Sequence, residues 1–352
     1  MLTKVRNLLA FLLTVAACHG LTGCGTTYVA QAAKGQFQIL TARRPIDRVL
    51  ADPKSSPELK QRLESVREAR QFAARELGLP NNKSYTSYAD LKREYVVWSV
   101  VATPEFSVEP HEWCFPIVGC VAYRGYFKEA RAGKFAAELR ARGFDSMVGG
   151  VPAYSTLGKF NDPILSTMLG YGDDELASIL FHELSHQVVY IPDDSAFNEA
   201  FAVTVEREGL ARWLKYRGRE ADLDKYLKRR ERQAEGMRIV ARHRRELAAL
   251  YSSAMAPEEM RARKGEVFAR LVTELKALDA RNGTQSQLAA ELDGKPNNAR
   301  LASLATYYDC VPGFERLLAD QQRDLPAFYA ATRALAKLPR EQRRERLCVS
   351  GT

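Results

Sequence analysis

The chain has 352 residues, 46% of them hydrophobic and 27% charged, with a net charge of +9. That size and balance suit one large core or two modest ones and exclude collagen-like, low-complexity and wholly disordered classes. Much of the basic excess lies between Arg217 and Lys264, where it alternates with Glu at helical spacing and reads as a solvated helix face. No zinc-finger or RNA-binding signature accompanies it, so nucleic acid is not an expected partner.

At the N-terminus, Lys4 and Arg6 precede an apolar run, Leu8 to Ala17, of roughly ten residues. Such a run is too short to span a bilayer but suits a secretory signal. It leads into Leu21-Thr22-Gly23-Cys24, which resembles the bacterial lipobox; Val15-Ala16-Ala17-Cys18 is a weaker match. The resemblance implies that residues 1–24 are a lipoprotein signal peptide with Cys24 lipidated. The mature protein is then expected in the cell envelope, lipid-anchored and facing the periplasm. Gly25 is not the Asp associated with inner-membrane retention, so the outer membrane is favoured.

Ser55 to Leu79 reads as an amphipathic helix, with Pro57 in its first turn and Gly78 and Pro80 stopping it. Asn81 to Asp90 reads as a polar loop, and the Val-rich stretch from Tyr95 to Ala102 as a strand. Trp113 to Phe127 reads as a β-hairpin. Its bend comes from Pro116 and Gly119, between Cys114 and Cys120. In an exported chain that cysteine pair is either a disulfide across the hairpin or two buried thiols. Cys310 and Cys348 remain, with no indication of whether they pair. Lys128 to Arg142 is a helix ended by Gly143. Asp145 to Leu157 is extended, with a break at Gly149-Gly150.

From Asp173 onward the pattern is helical. One helix opens on Asp173-Asp174-Glu175, and a second covers Ser195 to Tyr216. Two long charged helices lie near Ala221–Ser252 and Pro257–Leu278. A loop at 282–296 follows, then shorter helices near Asn298–Tyr308, Gly313–Asp320 and Leu325–Leu338. The fold class is α+β: a sheet-containing N-terminal lobe, 25–170, with an edge strand, and a mainly α-helical lobe, 171–352.

The chemistry is carried by His182-Glu183-Leu184-Ser185-His186. Histidines four apart lie one turn apart on one helix face, so two ring nitrogens can reach one Zn²⁺ at about 2.0–2.1 Å. Glu183 projects beside such a metal rather than onto it, where it can take a proton from the attacking water. This is the zincin arrangement. A catalytic zinc needs a third ligand and an open position. Val189 and Pro192 stand where a metzincin carries Gly and His, so that class is excluded. His243 sits in a very basic helix and reads as a surface residue. A carboxylate on the next helix remains.

Asn198-Glu199-Ala200-Phe201-Ala202, followed by Glu206, resembles the Asn-Glu-Gly-Phe-Ala segment of the zinc aminopeptidases. The resemblance implies that Glu199 is the third ligand and that Glu206, on the same helix face, supports a zinc-bound histidine. His186 and Glu199 are closer in sequence than in those enzymes, and Glu206 matches the longer interval of thermolysin-like proteins. No Gly-Ala-Met-Glu-Asn exopeptidase segment occurs. Over most of its length the chain resembles the bacterial family of putative aminopeptidases, lipoprotein-type proteins carrying both helices. The resemblance extends to Ala153-Tyr154-Ser155-Thr156-Leu157-Gly158, Asn297-Asn298-Ala299 and Leu304-Ala305-Thr306-Tyr307-Tyr308-Asp309.

That resemblance implies a zincin-like, gluzincin-type fold, one Zn²⁺ per chain and a peptide substrate. Tyr154, Ser155 and Thr156 would pair with substrate backbone as an edge strand, or form an ordinary buried strand. Tyr307 or Tyr308 would donate to the oxyanion, with Tyr308 favoured by its neighbour Asp309, unless both are structural. The expected activity is peptide hydrolysis in the envelope, as an endo- or aminopeptidase. The alternative is a non-catalytic envelope lipoprotein whose zincin-like core binds a partner through its charged helices.

Overall fold

In the computed structural model, residues 23–115, 119–153, 155–285, 287–293 and 296–348 are described; Tyr154 and the signal-like stretch 1–22 lie outside them. Helix α1 (Gly23–Ala42) carries Cys24 in its first turn. Strand β1 (Arg43–Pro45) and helix α2 (Ile46–Ala51) lead into α3 (Pro57–Glu76). Ser56 caps α3 by accepting from Leu59 N at 3.2 Å. Pro57 costs nothing in the first turn, where its missing N–H would have no helical partner. Leu63, Val66, Ala69, Phe72 and Ala73 form the buried stripe of α3.

Strand β2 (Ser87–Ala89) falls inside the stretch that composition reads as loop. It lies between β1, antiparallel, and β8 (Ile164–Leu165), parallel. A second sheet has the order β6-β3-β7, with β3 (Val97–Pro104) antiparallel to both β6 (Arg124–Tyr126) and β7 (Phe144–Val151). Strands β4 (Trp113–Phe115) and β5 (Gly119–Val121) form a separate ribbon in which Cys114 stands opposite Cys120, joined to it by a disulfide. Trp113 to Phe127 is therefore not one hairpin, because after β5 the chain turns again and β6 joins β3. Helix α4 (Glu129–Ala141) packs Ala132, Ala136 and Leu139 against Val100, Ala102 and Tyr126 of this sheet.

Strand β7 pairs with β3 through Gly149 and Gly150 without a break and stops at Val151. Extension to Leu157 fails because the Asp162 carboxylate captures the Thr156 amide at 2.8 Å and its hydroxyl at 2.7 Å, folding that stretch into a loop.

Beyond residue 172 the elements among the described residues are helices: α5 (Asp173–Ser185), α6 (Ser195–Tyr216), α7 (Glu220–Tyr251), α8 (Pro257–Asn282), α9 (Gln287–Leu292), α10 (Asn298–Tyr308), α11 (Val311–Asp320), α12 (Leu325–Ala336) and α13 (Arg340–Leu347). The fold is α+β. The short α9 occupies part of the stretch read as loop. Among the described residues no helix is long and apolar enough to cross a membrane.

Helices α7 and α8 bury a seam of Ile239, Val240 and Leu247 against Val267, Phe268, Leu271 and Leu275. Their basic residues pair between the helices, as in Arg242–Glu274, Arg270–Glu246 and Arg281–Glu235. Such exposed pairs each contribute about 0–1 kcal/mol. His243 is not a surface residue. It is 2% exposed, with Nδ1 3.0 Å from the Ile239 carbonyl oxygen, because its face of α7 meets α8 although its sequence neighbours are charged.

The largest core cluster draws from both sides of residue 170. Val49, Leu63, Phe72 and Leu77 join Phe181, Leu184, Phe201 and Trp213, and then Phe314 and Phe328. Helix α10 lies against β3 and β7, so helices late in the chain cover the sheet formed early in it.

Candidate metal centre

Helix α5 opens on three acidic residues, which complement the positive end of its dipole. Leu176, Ala177, Leu180, Phe181 and Leu184 bury its apolar side. His186 is its C-cap and keeps helical dihedrals (φ −59°, ψ −18°), so His182 and His186 stay one turn apart. Helix α6 comes close to α5 at Gly209, where a Cβ would stand 2.8 Å from Phe181 and from Leu77.

The start of α6 is fixed by three contacts. Asp194 caps it, accepting from Phe197 N at 3.3 Å, and is paired with Arg343 at 2.6 Å. Asn198 clamps the preceding loop at both edges, with Oδ1 accepting from Ile191 N at 2.8 Å and Nδ2 donating to Ile191 O at 2.7 Å. Glu199 follows directly and is 9% exposed.

Glu199 Oε2 lies 3.3 Å from His182 Nε2 and 3.8 Å from His186 Nε2. One ligand atom from each of the three residues falls within 4.8 Å of the others, and among the described residues this is the one such His/Cys/Asp/Glu grouping. Tetrahedral zinc with bonds of about 2.0–2.1 Å separates its ligands by roughly 3.4 Å, so small side-chain shifts would complete the site. Two imidazoles and one carboxylate with a fourth position left open are the donors of a catalytic zinc. Glu206 Oε2 lies 3.0 Å from His182 Nδ1, and its Oε1 accepts from Ser178 Oγ at 2.8 Å. That contact turns Nε2 of His182 toward Glu199.

Burial pushes His182 down, but its hydrogen bonds to Glu199 and Glu206 outweigh this and hold it well above the usual imidazole range. A bound metal would displace the proton it carries on Nε2. Burial lowers His186 to about 4, so its ring is neutral and able to ligate. Burial alone would raise Glu199, yet His182 and His186 hold it below the carboxylate norm. Burial lifts Glu183 to about 7, with the charge on His182 pulling the other way; a metal cation would pull it further down.

Two phenols feel the charge of the carboxylates. The charge of Glu199, then burial, raises Tyr307 well above its ordinary value, and Glu183 adds to this. Burial, then Glu199, does the same to Tyr123. Both therefore stay protonated and able to donate. The favoured phenol of the sequence reading, Tyr308, is engaged elsewhere: its hydroxyl accepts from Gln233 Nε2 at 3.0 Å, and Arg207 lies 5.8 Å from its ring centroid. Successive helical residues point about 100° apart, and the two phenols meet different charges: Glu199 and Glu183 act on Tyr307, Glu206 on Tyr308.

Ser155 and Thr156 belong to no strand; β7 is the sheet edge and ends before them. Their loop still adjoins the centre, because Thr156 is held by Asp162, which is 4% exposed and acts electrostatically on Glu183. Sequence reasoning missed Asp162 and Tyr123. Neither lies in a spacing pattern, and only tertiary contact brings them to α5 and α6.

The match of a family model described as putative aminopeptidase runs from residue 27 to residue 347. No curated protein and no solved structure matches the chain. With that match spanning the sheets and both helices of the centre, the chain belongs to the putative aminopeptidase family.

Proposed function

We propose that the protein is a zinc-dependent peptidase, with one Zn²⁺ per chain held by His182, His186 and Glu199. The observation that carries this reading is the convergence of two imidazole Nε2 atoms and one carboxylate oxygen beside the buried, non-ligating Glu183. When bound, the ion would polarise the scissile carbonyl and bring the pKa of water toward about 7. Glu183 takes the proton of the attacking water and returns it to the leaving amine. Tyr307 donates to the oxyanion in place of Tyr308. Glu206 holds the His182 ring in place. The arrangement is read as zincin-like, with residues 25–170 and 171–352 forming the two sides of the centre.

The charges supporting an amino-terminal substrate are those acting on Glu183. Apart from His182 they come from Glu199, Asp162 and Glu206, all carboxylates. Even with a doubly charged ion bound, the centre stays negative and favours a peptide's terminal ammonium. The lipobox-like stretch supports a lipid on Cys24 and an envelope location facing the periplasm, with the outer membrane favoured. A fatty-acid analogue should label the wild type and not Cys24→Ser; equal labelling of both would refute the anchor.

Zinc content tests the ligand set. The wild type should hold about one zinc, and His182→Ala or His186→Ala should lose most of it by atomic absorption. Glu206→Ala should weaken zinc affinity by about 10–100-fold, and Glu199→Ala by more. The opposite order would make Glu206 the ligand.

A further inference from the structure

The β4–β5 ribbon docks on the loop joining the two helices of the metal centre. Gly119, at φ +74°, comes so close that a Cβ there would stand 2.4 Å from Asp193 Oδ1 and 2.9 Å from Asp193 N. The Cys120 N–H donates to the same carboxylate. Tyr28 of α1 stacks on Phe115 of the ribbon with ring centroids 5.3 Å apart, and Arg124 lies 4.1 Å from the centroid of Tyr28. Tyr123 lies between Cys120 and Arg124, so its backbone is pinned on both sides. The residue as a whole is 37% exposed, while burial and the charges of Glu199 and Glu183 act on its phenol. Tyr307, 36% exposed, is coupled to Tyr123 in the same way. Each of these tyrosines lies three residues from a disulfide cysteine, Cys120 for Tyr123 and Cys310, bonded to Cys348, for Tyr307.

We propose that Tyr123 is a substrate-binding residue whose phenol donates to the bound peptide beside Tyr307, and that the Cys114–Cys120 disulfide positions it. This rests on the peptidase reading above. A polar side chain on a loop contributes to recognition only if its backbone is held before the ligand arrives, since ordering it afterwards costs affinity. Here the disulfide, the Asp193 contact and the aromatic stack hold it in advance.

The test uses the full chain, zinc-loaded, with zinc content checked in every variant. Tyr123→Phe removes one oxygen. It should raise KM by about 3–10-fold, the effect of one neutral hydrogen bond, with kcat changed by less than about twofold. The Kd of the same peptide for a Glu183→Gln background, by calorimetry, should rise by the same factor. Cys114→Ser with Cys120→Ser should reproduce this shift and add nothing to Tyr123→Phe. If the serine pair adds its full effect to Tyr123→Phe, or does not fold, the disulfide's positioning role is overturned. A wild type that cleaves peptide, with Tyr123→Phe unchanged in KM and Kd, overturns the contact alone. A wild type that neither cleaves nor binds peptide overturns the peptidase reading and this one together.

Discussion

Glu183→Gln should keep its zinc and its fold while hydrolysis falls by at least about 10²-fold, the lower range for loss of a general base. Glu183 stands between the two histidines in sequence but is absent from the ligand grouping, so the substitution leaves all three donors in place. Glutamine keeps the size and polarity of the side chain and cannot accept the proton. The buried carboxylate sits among the charges of Glu199, Asp162 and Glu206, an environment that disfavours its ionised form. Removing its charge should therefore not lower the melting temperature. Steady-state rates and atomic absorption on the same preparation check both halves. Turnover near that of the wild type would end the proposed role of Glu183.

Arg343→Ala should destabilise the protein by about 3–5 kcal/mol, the range for removing one partner of a buried ion pair. Asp194 is 2% exposed and accepts from Arg343 Nε at 2.8 Å and from its terminal nitrogen at 2.6 Å. Arg343 also donates to the Leu338 carbonyl, and its guanidinium lies 5.7 Å from the centroid of Phe197. Without it, the carboxylate capping α6 would be buried without its ion-pair partner just ahead of Glu199, with Arg340 acting on it only through space. Adding Asp194→Asn should recover part of the loss, because the stranded charge is then gone. Urea denaturation measures both. A loss below about 1 kcal/mol, typical of an exposed pair, would contradict the structural account of this end of α6.

Much of the helical framework was legible in local chemistry. Helix α6 begins and ends where Asp194, Tyr216 and Gly218 suggest, and α10 follows Asn297, whose side chain caps it. Strands β2 and β8 and helix α9 were not, being too short for a period to show. The helical phase of α10 was hidden as well. Leu301, Ala302 and Ala305 face the core, and in that phase Tyr308 meets Gln233 while Glu199 acts on Tyr307. The same ambiguity hid His243, whose neighbours advertise solvent while its own face meets α8. At the centre, His182, Glu183 and His186 were legible because one helical turn brings them together. Glu199 was legible only through its neighbours, and Tyr123 and Asp162 not at all, since long-range folding alone brings them near Glu183.

The most direct test of the central claim is a peptide-library digest by the zinc-loaded protein, read by mass spectrometry. Products should be shortened from the amino end only, with no cleavage after chelation and cleavage restored by added zinc. Cleavage confined to interior bonds would contradict the amino-terminal reading. A protein that carries one zinc per chain and cuts no peptide would contradict the proposed peptidase function.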